Sequence, residues 1–222
     1  MVLMPPAARI TKEMILNAVL ELTRKQGFEA VNARSIAMQL QCSTRPIFTC
    51  YENMEMLKRE FLEFGYRFYE KFVGEYRCGR DADAEMHTGM GAGAAMSTGT
   101  DTSTDTDAAT ALHLPLSYIA FAQKETHLFR LLFVSNMALS MTQAKDFYTE
   151  IGNETRAAAF SETISVDLES GKRIFLDLFL YTHGIAVLSA DKKISLQEEE
   201  AEKMIQNVLS ALIIQEKKRG SA

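Results

Sequence analysis

The sequence predicts an all-α protein, and three observations carry that expectation. Apolar residues recur at the three- and four-residue spacing of a helix face along most of the chain. Residues suited to capping stand just ahead of those segments, as Thr11, Asn32, Ser43 and Asn53 do. No stretch alternates apolar and polar residues as a half-buried strand would. With 222 residues, 47% hydrophobic and 24% charged, the chain has the composition of a globular protein able to bury a sizeable core.

The elements follow in order. Thr11–Lys25 carries Ile15, Ala18, Val19 and Leu22 on one face and ends before Gly27, a residue expected just past a helix. Asn32 caps a short helix over Ala33–Leu40 whose inner face is Ile36, Ala37 and Leu40. Ser43 caps another over Thr44 to Cys50, with Ile47, Phe48 and Tyr51 inward and Pro46 in a first turn that tolerates it. Asn53 caps a long helix to about Tyr76 with the stripe Leu57, Phe61, Phe64, Phe68 and Phe72. From Cys78 to Thr110 the chain is mostly Gly, Ala, Thr, Ser and Asp, too poor in large apolar groups to offset its ordering entropy. A flexible acidic linker is expected there. Periodicity resumes with a helix opened by Pro115 and running to Lys124, then His127–Phe133, and two modest helices within Thr142–Ile151 and Glu154–Ile164. Leu168–Ser189 is apolar on two sides, which predicts burial on both. The last helix opens on Ser195-Leu196-Gln197-Glu198, a capping-box pattern, and closes on Lys217-Lys218-Arg219.

Charge is spread unevenly. Residues 1–60 hold eight Lys/Arg against six Glu, while the rest holds sixteen basic against twenty-three acidic residues, for a net charge of −5. A mildly basic head on an acidic body permits nucleic-acid contact at one end only. The three cysteines, Cys42, Cys50 and Cys78, match no zinc spacing and suggest a reducing cytoplasm. The N-terminal stretch shows no signal-peptide pattern, and no membrane span is expected. The four histidines are scattered, so neither a metal site nor a cofactor is expected.

Two short helices separated by Gln41-Cys42-Ser43 have the spacing of a helix-turn-helix, whose second helix puts its first residues against base edges in the major groove. Thr44 and Arg45 stand at that position, Thr49 one turn later, and Arg34 in the first turn of the preceding helix. Arg pairs bidentately with guanine, and Thr reaches a base edge or methyl. Lys58 and Arg59 follow the start of the next helix, where a phosphate is well placed.

The stretch from Ile10 to about Leu62 resembles the DNA-binding domain of the TetR family. The matching residues are Gly27-Phe28, Ile36-Ala37, Ser43, Ile47-Phe48, Tyr51, Asn53 and Leu57. The resemblance implies that Arg34, Thr44 and Arg45 read bases, and that Phe48, Cys50 and Tyr51 stand where the family usually has Tyr, His and Phe. The DNA-contacting set expected on both grounds is Arg34, Ser43, Thr44, Arg45, Phe48, Thr49, Tyr51 and Lys58. The family's usual turn Gly is Gln41 here, its phosphate-touching Tyr hydroxyl is absent at Phe48, and its usual Lys at the next helix start is Met54. Two later stretches, YIAFAQKETHLFRLLF and LYTHGIAVLSADKKISLQEEE, are similar to TetR-like sensor domains.

The organisation expected is a helix-turn-helix domain over 1–52, a connecting helix over 53–77, a flexible tract over 78–110, and a helical ligand-binding and dimerisation domain over 111–222. The function expected is a ligand-released repressor, a cytoplasmic homodimer on a near-palindromic operator, with an unknown small-molecule effector. Phe61, Phe68, Phe121, Phe129, Phe175, Tyr181 and His183 are the candidate pocket residues. Ile185, Leu188, Met204, Ile205, Val208 and Leu212 are the candidate dimer interface. Plainer readings stand beside these: the Phe stripe as core, His183 as a core or interface histidine, Cys42 as a small apolar filler rather than a redox switch. An enzyme is the main rival, but no phosphate loop, nucleophile elbow or metal spacing is present. A helix-turn-helix scaffold for a protein partner is the other, disfavoured by the outward Arg34, Thr44, Arg45 and Thr49.

Overall fold

The computed structural model describes residues 10–76, 102–137, 141–149 and 152–220, with the backbone alone for 102–109. Among the described residues there are no strands. In chain order the helices are α1 (Lys12–Gln26), α2 (Ala33–Gln39), α3 (Arg45–Cys50), α4 (Met54–Glu75), α5 (Thr102–Lys124), α6 (Thr126–Arg130), α7 (Asn153–Thr163), α8 (Leu168–Ala190) and α9 (Glu198–Arg219). The chain divides into two compact units, Met1–Lys71 with Glu125–Asn136, and Phe72–Lys124 with Met137–Ala222.

In the first unit the caps are local and satisfied. Thr11 accepts from the Met14 N–H at 3.2 Å, and Asn53 from the Met56 N–H at 2.9 Å. Asn32 and Ser35 form a reciprocal capping box, Oδ1 accepting two N–H groups at 3.0 Å while Ser35 Oγ accepts the Asn32 N–H at 2.9 Å. Each such cap stabilises a helix by about 1 kcal/mol. Gly27 ends α1 at φ +83°, a backbone that a side chain rarely adopts. Ile15 and Val19 of α1, Ile36 of α2, Ile47 of α3, and Leu57 and Phe61 of α4 are fully buried together with Leu128 and Leu132. Burying each contributes roughly 1.5–3 kcal/mol. The later segment is a full member of this core. Gly65 of α4 leaves room for Leu128 and Leu132, and a Cβ there would sit 3.1 Å from a Leu132 methyl. Arg24 of α1 forks onto the buried Glu125 carboxylate, Nε and a terminal nitrogen at 2.8 and 2.6 Å. That carboxylate raises the pKa of the guanidinium.

After α6 the chain takes one wide π turn, Leu131–Ser135. Asn136 Nδ2 donates to the Leu131 carbonyl at 2.7 Å and the Tyr66 hydroxyl to that of Leu132 at 3.1 Å, satisfying acceptors the turn leaves open.

In the second unit α8 lies against α5, α7 and α9. Its core holds Leu116, Ile119, Phe121, Phe147, Ile174, Leu178, Ile205 and Leu209. Helices α7 and α8 meet so closely at Gly171 that an added Cβ would lie 1.8 Å from Ser161 Oγ. Arg173 of α8 and Arg219 hold Glu216 of α9 at 2.6 and 2.8 Å, which lowers that carboxyl's pKa, Arg173 being the larger cause.

Four expectations change. First, α5 begins at Thr102, so Pro115 lies inside a helix rather than opening one, and 102–110 is not linker. Counting only large apolar groups overlooked Ala108, Ala109 and Ala111, the strongest helix formers. Residues 77–101, with Cys78 and His87, lie outside the described residues. Second, α9 starts at Glu198 with Gln197 as its cap, without the Ser195 box. Its Glu198 carboxylate instead accepts from the Tyr76 hydroxyl at 2.7 Å. Third, the segment after Thr142 is a 3-10 turn, Ala144–Thr149, with 150–151 outside the described residues. Fourth, by length and composition Leu168–Ala190 is apolar enough to cross a membrane, contrary to the sequence expectation, yet half of its apolar window is buried inside the protein.

Candidate nucleic-acid interface

The turn between α2 and α3 is built from backbone. The Cys42 N–H reaches the Ala37 carbonyl at 2.9 Å and the Gln41 N–H that of Met38 at 3.2 Å, with Gln41 left-handed at φ +51°. This is the Schellman pattern, here without glycine at its left-handed position. It ends α2 sharply at Gln39, and α3 starts six residues later, at Arg45 with Thr44 as cap. Ser43 is not the cap; it is exposed in the turn.

Helix α3 is anchored from below. Ile47 is fully buried and Tyr51, one turn on, is 2% exposed. Lys12 lies 4.8 Å over the Tyr51 ring and pairs with Glu60 at 2.7 Å, joining α1 and α4 around it. Burial, and then the Glu60 charge, raise the Tyr51 pKa, so the phenol stays neutral. Tyr51 therefore supports the helix and does not face DNA, a correction to its place among the contacts. Phe48, read as inward from its spacing although named among the contacts, is 50% exposed. Ile47 and Tyr51 are four apart and share a face, whereas Phe48 is turned about 100° from Ile47.

The outward side of this helix pair carries Arg34, Thr44, Arg45, Phe48 and Thr49. Thr44 is half-buried and the others are exposed. Neither guanidinium has an acidic partner among the described residues. Lys58 is half-buried, its ammonium 5.8 Å over the Phe28 ring, while Arg59 beside it is exposed. Met38, one turn after Arg34, is 80% exposed and was not anticipated. Nothing in helical periodicity marks it, since an isolated apolar residue on a polar face reads as noise. The face thus combines exposed cations with exposed apolar groups above a buried core.

The candidate pocket residues divide between the units. In the first, Phe61 is fully buried and stacked on Phe28 at 5.7 Å, Phe129 is fully buried, and Phe68 lies under Arg24 at 5.8 Å. In the second, Phe121 meets Phe72 edge-on at 5.2 Å and Phe175 packs on Phe160 at 5.5 Å. Tyr181 is half-buried, and His183 Nδ1 lies 2.9 Å from the Tyr118 hydroxyl. Burial lowers the His183 pKa, so the neutral ring is favoured as acceptor. None of these residues lines the groove of about 120 Å³ in the second unit, formed by Ala111, Leu112, Thr163, Ile164, Leu209 and Ile213 with Gln206 and Ser210. That volume is below the roughly 300–1,000 Å³ of a ligand site. Of the candidate dimer residues, Ile185 and Ile205 are core, 5% and 0% exposed. Ile205 shares the inward stripe of Ala201 and Leu209. Leu188 is exposed and Met204, Val208 and Leu212 are half-exposed, joined by the exposed Leu180 and Ile214, which the sequence did not single out.

No family model matches this chain, and no curated protein matches its sequence. Among solved structures, the chain is similar to a TetR-like transcriptional regulator from Rhodococcus sp. RHA1, with a TM-score of 0.54 and 13% identity over 93% of this chain and 96% of that one. The fold is that of a TetR-like regulator.

Proposed function

We propose that this chain, with the fold of a TetR-like regulator as premise, is a non-enzymatic, cytoplasmic transcriptional regulator that binds operator DNA through α3 as a homodimer. The observation that carries the reading is the outward set Arg34, Thr44, Arg45 and Thr49 on a helix-turn-helix whose cations have no acidic partner among the described residues. Arg45 takes a guanine edge, Thr44 and Arg34 a neighbouring base or phosphate, and Lys58 and Arg59 the backbone. The exposed apolar residues of α8 and α9, Leu180, Leu188 and Ile214, with Met204, Val208 and Leu212 at their margins, pair with their copies across a two-fold axis. The two recognition helices then address half-sites about 34–36 Å apart or somewhat more. A small apolar effector acting on the second unit releases the protein from DNA by favouring a differently spaced dimer.

The test is a mobility-shift titration on genomic fragments with sedimentation alongside. Selective binding that weakens steeply with salt, by a dimer, is expected. Arg45→Ala should cost about 1–3 kcal/mol and relax preference at one base pair. A monomer at micromolar concentration, or binding indifferent to sequence, overturns the reading.

A further inference from the structure

Phe48 is a large apolar side chain left half in water on a surface whose other exposed residues are mostly polar, while Ile47 and Tyr51, on the inward face of the same turn, fill the core beneath. Its position is fixed: α3 has Pro46 in its first turn and is pinned by those two buried residues, so the ring has no inward place to go. Arg45, Phe48 and Thr49 are three and four residues apart and therefore lie on one face, within a single turn. The Thr49 hydroxyl donates to the Arg45 carbonyl at 3.0 Å, so its proton is committed and its γ-methyl is the uncommitted part. The outer face of α3 thus offers one guanidinium and two apolar groups.

A major groove has few apolar features. Base edges there present donors and acceptors, and the exception is the thymine 5-methyl. A phenyl ring with no hydroxyl makes no hydrogen bond to phosphate or base edge, so the groove feature that best matches it is such a methyl. A protein partner would also cover an apolar ring, but the exposed Arg34 and Arg45 of the same helix pair have no acidic partner among the described residues and match a polyanion. We infer that Phe48 and Thr49 read thymine methyl groups next to the guanine taken by Arg45, so that each operator half-site carries thymine within a step or two of that guanine. The inference rests on the DNA-binding reading above and specifies the base chemistry it recognises.

The experiment alters the DNA rather than the protein. Sequences bound by the full-length chain are selected from a randomised duplex library, and each thymine of the best duplex is then replaced singly by deoxyuridine, which removes only the 5-methyl. The expected result is one or two positions per half-site where affinity falls about fourfold, the loss for re-exposing one methyl-sized group. At those positions a Phe48→Ala or Thr49→Ser protein should no longer distinguish thymine from uracil, a non-additive pair that only direct contact produces. If selective binding persists but uracil is tolerated at every thymine, the inference is overturned and the DNA-binding reading stands. If Phe48→Ala weakens all duplexes equally, methylated or not, the ring contacts backbone and the inference is likewise overturned. If no sequence is enriched, the DNA-binding reading itself fails.

Discussion

Gln41, Ser165 and Lys192 all have positive φ, and each stands just past a helix whose end is closed by the same pair of backbone hydrogen bonds. A side chain costs roughly 1–2 kcal/mol in that conformation, less the extra freedom a glycine loses on folding. Gln41→Gly should therefore stabilise the protein by about 0.5–1 kcal/mol in denaturant titration; destabilisation would mean the Gln side chain has a role in the turn. That residue was legible in advance through the TetR resemblance, which puts Gln41 where the family usually has the turn Gly. The exposure of Phe48 was legible only in part: it stood among the expected contacts, yet periodicity put it inward beside Ile47, whereas Ile47 and Tyr51 alone set the buried face. His183 gives a pH prediction. Burial lowers its pKa below the usual 6.5, so the unfolded chain protonates first as pH falls, and stability present above 6.5 is lost below it. The Glu216 contribution, held by Arg173, is lost only as pH falls below 4.5. Thermal unfolding midpoints should begin to drop as pH falls through 6.5, and His183→Gln should flatten that upper part of the profile.

At the scale of elements, the α7–α8 contact is the most sterically constrained. Gly171→Ala places a methyl against Ser161 Oγ and 3.0 Å from Ser161 Cα, so side-chain rotation alone does not relieve it. A loss of about 1–3 kcal/mol is expected in chemical denaturation, partly recovered when Ser161→Gly is added. Helix existence was largely readable, since caps such as Thr11, Asn32 and Asn53 and their N–H partners lie within three residues of each other. Where a distant group competes, local reading stops working. Glu198 is taken by Tyr76, 122 positions away, and the box with Ser195 does not form. The start of α5 escaped because alanine propensity, together with the buried Ala111 and Leu112 just before Pro115, extends the helix across that proline.

For the whole molecule, the first unit is assembled from two separate stretches, Met1–Lys71 and Glu125–Asn136. No periodicity announces such a partition, which depends on Arg24 meeting Glu125 across 101 positions and on Gly65 meeting Leu132. A fragment ending at Lys71 is expected to show helical circular dichroism but a broad, non-cooperative melt, because Leu128, Leu132 and the Arg24 partner are gone. Adding the synthetic peptide 125–136 in excess should sharpen it. A sharp melt from the fragment alone would show that the N-terminal stretch is self-sufficient.

The same discontinuity bears on how chimeras of this fold are made. Grafting a foreign N-terminus onto this body at residue 71 leaves Glu125 and Leu132 facing an unfamiliar surface, a buried carboxylate without its guanidinium and a methyl without its glycine. A working chimera has to be spliced twice, exchanging 125–136 together with the N-terminal stretch.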